Sequence, residues 1–167
     1  MKVIFDIETT GLNYDEDEIL QFSAINENGE VLLNTYVKPE CHESWPNASK
    51  INGITPEVVK DAPTFTEIIN DIQDIFNSAD ELIAYNGEFD KTFLQRQGIV
   101  ISNDTPYFDV MLEFAPIYGE WNDYFGEYKW QKLITCAKYY GYKYNAHDSL
   151  EDVKATLFAY NKIKESL

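Results

Sequence analysis

Phe5-Asp6-Ile7-Glu8-Thr9-Thr10-Gly11-Leu12 sets two carboxylates two residues apart inside a stretch that otherwise reads as a buried strand. Val3, Ile4, Phe5 and Ile7 form a short apolar run that ends at Gly11, and carboxylates within such a run need compensation. Residues i and i+2 of a strand face the same way, so Asp6 and Glu8 would stand side by side. Like charges at that separation repel, and a bound cation is the usual resolution. The plainer alternative is a solvated pair at a frayed strand end, and two later segments bear on the choice.

The first of these is Leu82-Ile83-Ala84-Tyr85-Asn86-Gly87-Glu88-Phe89-Asp90-Lys91-Thr92-Phe93-Leu94. Three apolar residues lead into Asn86-Gly87, which punctuates a strand, and Phe89, Phe93 and Leu94 then recur at helical spacing. Asp90 falls in the first turn of that helix, where an acid also suits the helix dipole. The second is His147-Asp148-Ser149-Leu150-Glu151-Asp152-Val153-Lys154-Ala155-Thr156, opening the last helix. Asp148 and Glu151 have capping-box spacing. His147 lies just outside the helix and Asp152 one turn inside, with small neighbours Ser149, Thr156 and Ala159 on its face.

Together the three segments resemble the motifs of the DEDD 3'-5' exonucleases, the DnaQ-like proofreading group of the ribonuclease H-like superfamily, which includes the epsilon-type exonuclease of DNA polymerase III. Asp6, Glu8, Asp90 and Asp152 match the four acids, and His147 matches the histidine of the DEDDh branch. Lys50-Ile51-Asn52-Gly53-Ile54-Thr55 and Ala62-Pro63-Thr64-Phe65 are similar to the family's linker between its first two motifs. Two departures stand out. Tyr85 occupies a position where a histidine commonly precedes the asparagine, and Asp148 follows His147 where a polar or basic residue is more usual. Neither removes a metal ligand. Tyr144 and Asp148 also have the spacing of the sister tyrosine branch, a second alignment of the same segment.

The resemblance implies phosphodiester hydrolysis with two divalent ions, Mg2+ or Mn2+, which carboxylates suit as ligands. Two ions about 4 Å apart can clamp the attacking and leaving oxygens of an in-line displacement. By family likeness Asp6 would bridge both ions, Glu8 and Asp152 would serve the nucleophile side, and Asp90 the other. His147 would be the general base, a task suited to an imidazole. Substrate contacts would come from Thr9, Thr10, Gly11, Leu12, Asn86 and Phe89, with Leu12 wedging near the terminal base.

The 167 residues are 44% hydrophobic and hold no apolar run long enough to span a bilayer, which predicts one exonuclease domain over 1–167 with a sizeable core. Two cysteines, Cys41 and Cys136, without metal spacing, and no secretory leader point to the cytoplasm. Cys41-His42 alone is a weak metal pair. Thirteen basic against twenty-nine acidic residues give a net charge of -16, the wrong sign for gripping duplex along its length. An enzyme holding only the last nucleotides of a single strand or frayed 3' end is compatible with that balance. Seven of the thirteen basic residues lie between Lys129 and Lys164.

Strands are expected near 2–8, 18–26, 31–37, 81–85 and 106–109, with a hairpin turn at Asn28-Gly29. Helices are expected after Thr55-Pro56, from Thr64 through Phe76, around Asp90, and over 110–118, 129–140 and 148–165. This predicts an α/β, ribonuclease H-like fold: a mixed five-stranded sheet, its first three strands antiparallel and later ones parallel, flanked by helices. Residues 15–18 read as a solvated acidic turn. The aromatic-dense segment from Tyr118 to Tyr144 reads as core or subunit interface, with a base-stacking wall as the alternative, and 121–128 as a loop. The function so predicted is removal of nucleotides from DNA 3' ends in proofreading or end trimming. An exoribonuclease on short RNA, or a noncatalytic subunit binding a DNA polymerase or nucleic-acid ends, are the alternatives.

Overall fold

The computed structural model describes residues 1–166. Strand β1 (Lys2–Thr9) pairs antiparallel with β2 (Ile19–Asn26), which pairs antiparallel with β3 (Val31–Tyr36). Short helices α1 (Pro46–Asn52) and α2 (Pro56–Val59) and the longer α3 (Phe65–Asn77) lead to β4 (Glu81–Ala84). Then follow α4 (Gly87–Arg96), β5 (Tyr107–Asp109) and α5 (Val110–Tyr118). β4 runs parallel to both β1 and β5, giving a five-stranded sheet in the order β3-β2-β1-β4-β5. A two-stranded hairpin, β6 (Trp121–Asn122) and β7 (Glu127–Tyr128), precedes α6 (Leu133–Tyr139) and the long α7 (Ser149–Glu165). The expected mixed sheet with flanking helices is the fold observed.

The sheet divides the core in two. Val3, Phe5 and Ile7 of β1 pack with Ile68, Ile72 and Phe76 of α3 and with Phe93 and Leu94 of α4. Ile4 faces the other way, toward Val110 and Phe114 of α5, Cys136 of α6, and Val153, Ala159 and Ile163 of α7. By strand alternation Asp6 and Glu8 share the face of Ile4, the face that α7 covers. Every residue of β2 is buried, as a strand flanked on both edges and packed on both faces must be. At Thr64 the backbone N–H and the hydroxyl both donate to the Glu67 carboxylate, fixing the start of α3.

Four expectations need correction. Residues 121–128 are a hairpin and not an irregular loop; Trp121 and Tyr128 pair across it with ring centroids 5.0 Å apart. The hairpin extends through Lys129 N–H to the Glu120 carbonyl, 2.8 Å, so the chain stays extended and the helix expected from 129 begins only at Leu133. The core reading of the aromatics holds only in part: Tyr140 packs on the core, but Trp121, Tyr124, Phe125, Tyr128, Trp130 and Tyr139 are exposed, Tyr124 at 87%. The acidic turn is not idle either. Asp17 accepts from the Thr10 hydroxyl and the Asn13 amide, and Glu18 from the amides of Glu40, Cys41 and His42. Burial works against charge on Glu18, yet the His42 ring and these amides hold its carboxyl below the usual range. That engagement takes up His42, while Cys41 remains an exposed free thiol. Helix α1 was absent from the sequence expectation; a proline at its first turn and Gly53 at φ 70° mark its ends.

Candidate active site

Three elements deliver the acids to one end of β1. The β1–β2 register slips between Glu8 and Thr9, a bulge that bends the strand where Thr9-Thr10-Gly11 turns away. Above it, Asp90 on the first turn of α4 is buried and accepts the Ile7 N–H at 3.1 Å, tying α4 to the strand between the two acids. The turn into α4 is held by Asp109, whose carboxylate accepts from the Asn86 and Gly87 amides, both at 3.1 Å, from the Met111 amide and from the Tyr107 hydroxyl. Asn86 adopts a left-handed backbone, φ 60°, which asparagine tolerates better than most residues. A Cβ at Gly87 would lie 2.2 Å from the Tyr107 hydroxyl, so no larger residue fits.

Helix α7 docks by its first turn. The Ser149 hydroxyl lies 2.5 Å from that of Ser23, and the Ser149 amide donates to the Gln21 side-chain carbonyl at 3.4 Å. Ser23 and Gln21 are the β2 residues paired with Asp6 and Glu8, so these bonds bring α7 down beside the acidic pair. Asp148 caps the helix, accepting from the Leu150 and Glu151 amides. The expected reciprocal cap fails on its other side, because Glu151 pairs with Lys154 at 2.7 Å. Immediately before the cap His147 is left-handed, φ 72°, and its amide donates to Asp152 Oδ2 at 3.3 Å. Thr156 and Ala159 are buried beneath α7, as their small size suggested.

The outcome is a concentration of carboxylates with too few donors. Ligand atoms of Glu8, His147 and Asp152 all lie within 4.8 Å of one another. Among the described residues Asp6 Oδ2 and Asp152 Oδ1 are buried without a hydrogen-bond partner, a costly condition for an anionic oxygen. Burial, reinforced by Asp90, Asp152 and Glu8, pushes the Asp6 carboxyl far above its ordinary range. Burial raises Glu8 to about 8, with Asp152 adding to it and an Asn52 hydrogen bond opposing. Asp90 is raised to about 8 by burial against its backbone hydrogen bonds, and Asp152 to about 6 by burial against the Tyr144 hydroxyl and His147. Without a cation, therefore, this cluster retains protons. Divalent ions are the remedy the donor set fits: Glu8, His147 and Asp152 stand within reach of one ion, while Asp6, with its unpartnered oxygen, and Asp90 lie outside that grouping.

A cleft of about 750 Å³ opens over the cluster, lined among others by Asp6, Leu12, Asn86, Trp130, His147 and Asp152. Of the residues expected at the substrate, Leu12 is 81% exposed at its rim and Asn86 is exposed. Thr9 and Thr10 are buried, Thr9 donating to the Gly11 carbonyl at 2.6 Å. A Cβ at Gly11 would displace the Asp17 carboxylate, which bonds the Thr10 hydroxyl and the Asn13 amide. Phe89 stands apart from the cleft lining, its ring packed on Phe93 and Tyr14. Sequence reasoning missed Asp109, Asn52 and Ser23, and offered Trp130 only within the alternative of a base-stacking wall. Asp109 carried a legible signal, an acid between a strand and a helix start; the others depend on contacts between distant segments.

A mixed sheet with clustered carboxylates at the end of its first strand is the plan of ribonuclease H-like exonucleases. The sequence profile of the exonuclease family (RNase_T) matches residues 3–160, and the chain belongs to that family. It is 30% identical over 173 residues to a PolC-type DNA polymerase III of Caldanaerobacter subterraneus, a match covering 99% of this chain but 12% of that one. It is 32% identical to the uncharacterized exonuclease CP81 of Escherichia phage 186, covering 93% and 84% of the two chains. The epsilon subunit of Escherichia coli DNA polymerase III is 29% identical, covering 63% and 46%. The chain thus spans most of the phage relative but only a fraction of the polymerase relatives. The zinc-bound E. coli exonuclease I–single-stranded DNA complex has the same fold, with a TM-score of 0.79 at 23% identity, covering 99% of this chain and 40% of that one.

Proposed function

We propose that residues 1–167 act as a metal-dependent 3'-5' exonuclease domain that hydrolyses DNA from its 3' end, in proofreading or end trimming. The observation that carries this reading is the pair of buried, partnerless oxygens, Asp6 Oδ2 and Asp152 Oδ1, beside Glu8 and His147 under one cleft. Asp6, Glu8, Asp90 and Asp152 would hold two divalent ions, Mg2+ or Mn2+. Once bound, such ions supply Lewis acidity at the scissile phosphate and stabilise charge on the attacking and leaving oxygens.

The chain's own groups perform the rest. His147, exposed at the cleft, takes a proton from the attacking water on its imidazole nitrogen. The hydrogen bond its backbone N–H donates to Asp152 keeps base and ligand in register. Leu12 at the rim meets the terminal base, and the backbone of Thr9, Thr10 and Gly11 meets its sugar, with Asn86 on the opposite wall; Phe89 contributes by bracing α4. DNA is favoured over RNA by the polymerase relatives, and a single strand or frayed end over duplex by the net charge of -16. Those relatives also suggest a DNA polymerase as partner. Among the described residues no helix is long and apolar enough to cross a membrane.

The test offers 5'-labelled single-stranded DNA, the matched RNA and a 3'-mismatched duplex, each with Mg2+ or Mn2+. A ladder shortening from the 3' end on DNA is expected, faster on the mismatch than on the paired end. Laddering of RNA alone would transfer the proposal to an exoribonuclease, and binding of ends without products to a noncatalytic subunit.

A further inference from the structure

The exposed aromatics beyond the cleft fall into two groups that differ in charge. At the hairpin tip, Tyr124 and Phe125 sit beside Asp123 and Glu127, and the nearby Glu120 is already matched by Lys129. A phosphate chain is repelled there. Along the cleft lining and α6 the sign changes. Trp130, 59% exposed, and Lys132 line the cleft, and Ile134 lines both the cleft and a second hollow of about 570 Å³. That hollow is walled by Tyr118, Ile134, Thr135, Lys138 and Tyr139. Residues 134, 135, 138 and 139 share one face of α6, opposite the buried Cys136 and Ala137. Lys132 and Lys138 form no ion pair among the described residues, in a chain with twenty-nine acids.

From this continuity we infer that the α6 face is a track for single-stranded nucleic acid, running from Trp130 and Lys132 over Ile134 to Lys138, Tyr139 and Tyr118. It carries the nucleotides upstream of the 3' end whose hydrolysis is proposed above, and it rests on that proposal. Rings accept bases without regard to sequence, and the unpaired lysines meet phosphates. The strand is the occupant chosen because the hollow and the cleft share Ile134 as a common wall and because two lysines here form no ion pair among the described residues. An apolar partner helix would have no use for either.

Two measurements separate the track from the catalytic proposal. The first is fluorescence anisotropy of labelled oligothymidylates of increasing length in chelator, where nothing is cleaved. The second is hydrolysis of a p-nitrophenyl ester of thymidine 5'-monophosphate with Mn2+, a substrate too short to reach α6. Affinity is expected to rise with length in the wild-type chain. Lys138→Glu should weaken the long oligonucleotide about tenfold, flatten its salt dependence and leave ester hydrolysis unchanged. Tyr139→Phe, which keeps the ring, should bind like wild type, whereas Tyr139→Ala should not. Affinity independent of length, or Lys138→Glu binding the long strand as wild type does, would overturn the track even if the ester is cleaved. Failure to cleave the ester with length-dependent binding intact would instead strike the catalytic proposal.

Discussion

Asp6 is the residue on which the site turns, because one of its oxygens is buried with no donor among the described residues and four other carboxylates, Asp90, Asp152, Glu8 and Asp148, act on it. Asp6→Asn is therefore expected to reduce hydrolysis to background while the metal-free protein melts higher than wild type, since a carboxyl that must take up a proton to be buried is replaced by a neutral group of the same size. Wild-type turnover by that variant would sink the ligand assignment. The last motif admits a second test, because His147 and Tyr144 both approach Asp152. His147→Ala should lower turnover about a hundredfold or more with metal affinity little changed. Tyr144→Phe should be nearly silent, and Asp148→Asn as well, because asparagine caps a helix about as well as aspartate. An active His147→Ala with a dead Tyr144→Phe would assign the chain to the tyrosine branch.

At the scale of elements, the site exists because α7 and α4 are pinned to β1 and β2 by a few polar contacts. Ser149→Ala removes the Ser149–Ser23 bond and should cost about 1 kcal/mol of stability. It should also weaken Mn2+ binding, measured by calorimetry, because Asp152 is one turn away; an unchanged affinity would show that the helix is seated by its apolar face alone. The strands and most helices could be read from sequence, since alternation on β1 and the helical spacing of Phe89 and Phe93 are local signals. So could the three acidic segments. The hairpin at 121–128 could not, because its two-residue strands are too short for a periodic signal and rest on cross-strand pairing. Helix α6 was misjudged for the same reason, as the hairpin holds 129–132 extended. Asn52, on the unforeseen α1, reaches Glu8 from forty-four positions along the chain, beyond any local pattern.

For the whole molecule, the acid cluster couples protonation, metal and stability. Glu8 and Asp90 at about 8 and Asp152 at about 6 are raised well above their ordinary carboxylate values. The folded state thus binds more protons than the unfolded one between about pH 4 and about pH 8, and stability falls as pH rises through that window. Without metal, the melting temperature should decline across it. Mn2+ should reverse the decline, by about 2.7 kcal/mol at a hundredfold excess over its dissociation constant. The metal-induced shift should grow with pH, because ligands must shed protons to bind. A shift independent of pH would show that the raised carboxyls are not the ligands.

The left-handed backbone at His147 makes that position open to chemical complementation. At φ 72° glycine is at ease, so His147→Gly removes the ring and relaxes the turn that carries Asp152. The space left lies at the edge of the cleft and is open to solvent. Imidazole added to the buffer should therefore restore part of the turnover of His147→Gly in a saturable manner, while 1,2-dimethylimidazole, crowded at its ring, should restore less. A base that can be supplied from solution in this way is separable from the acids beside it, and the enzyme can be switched on after its substrate is already in place.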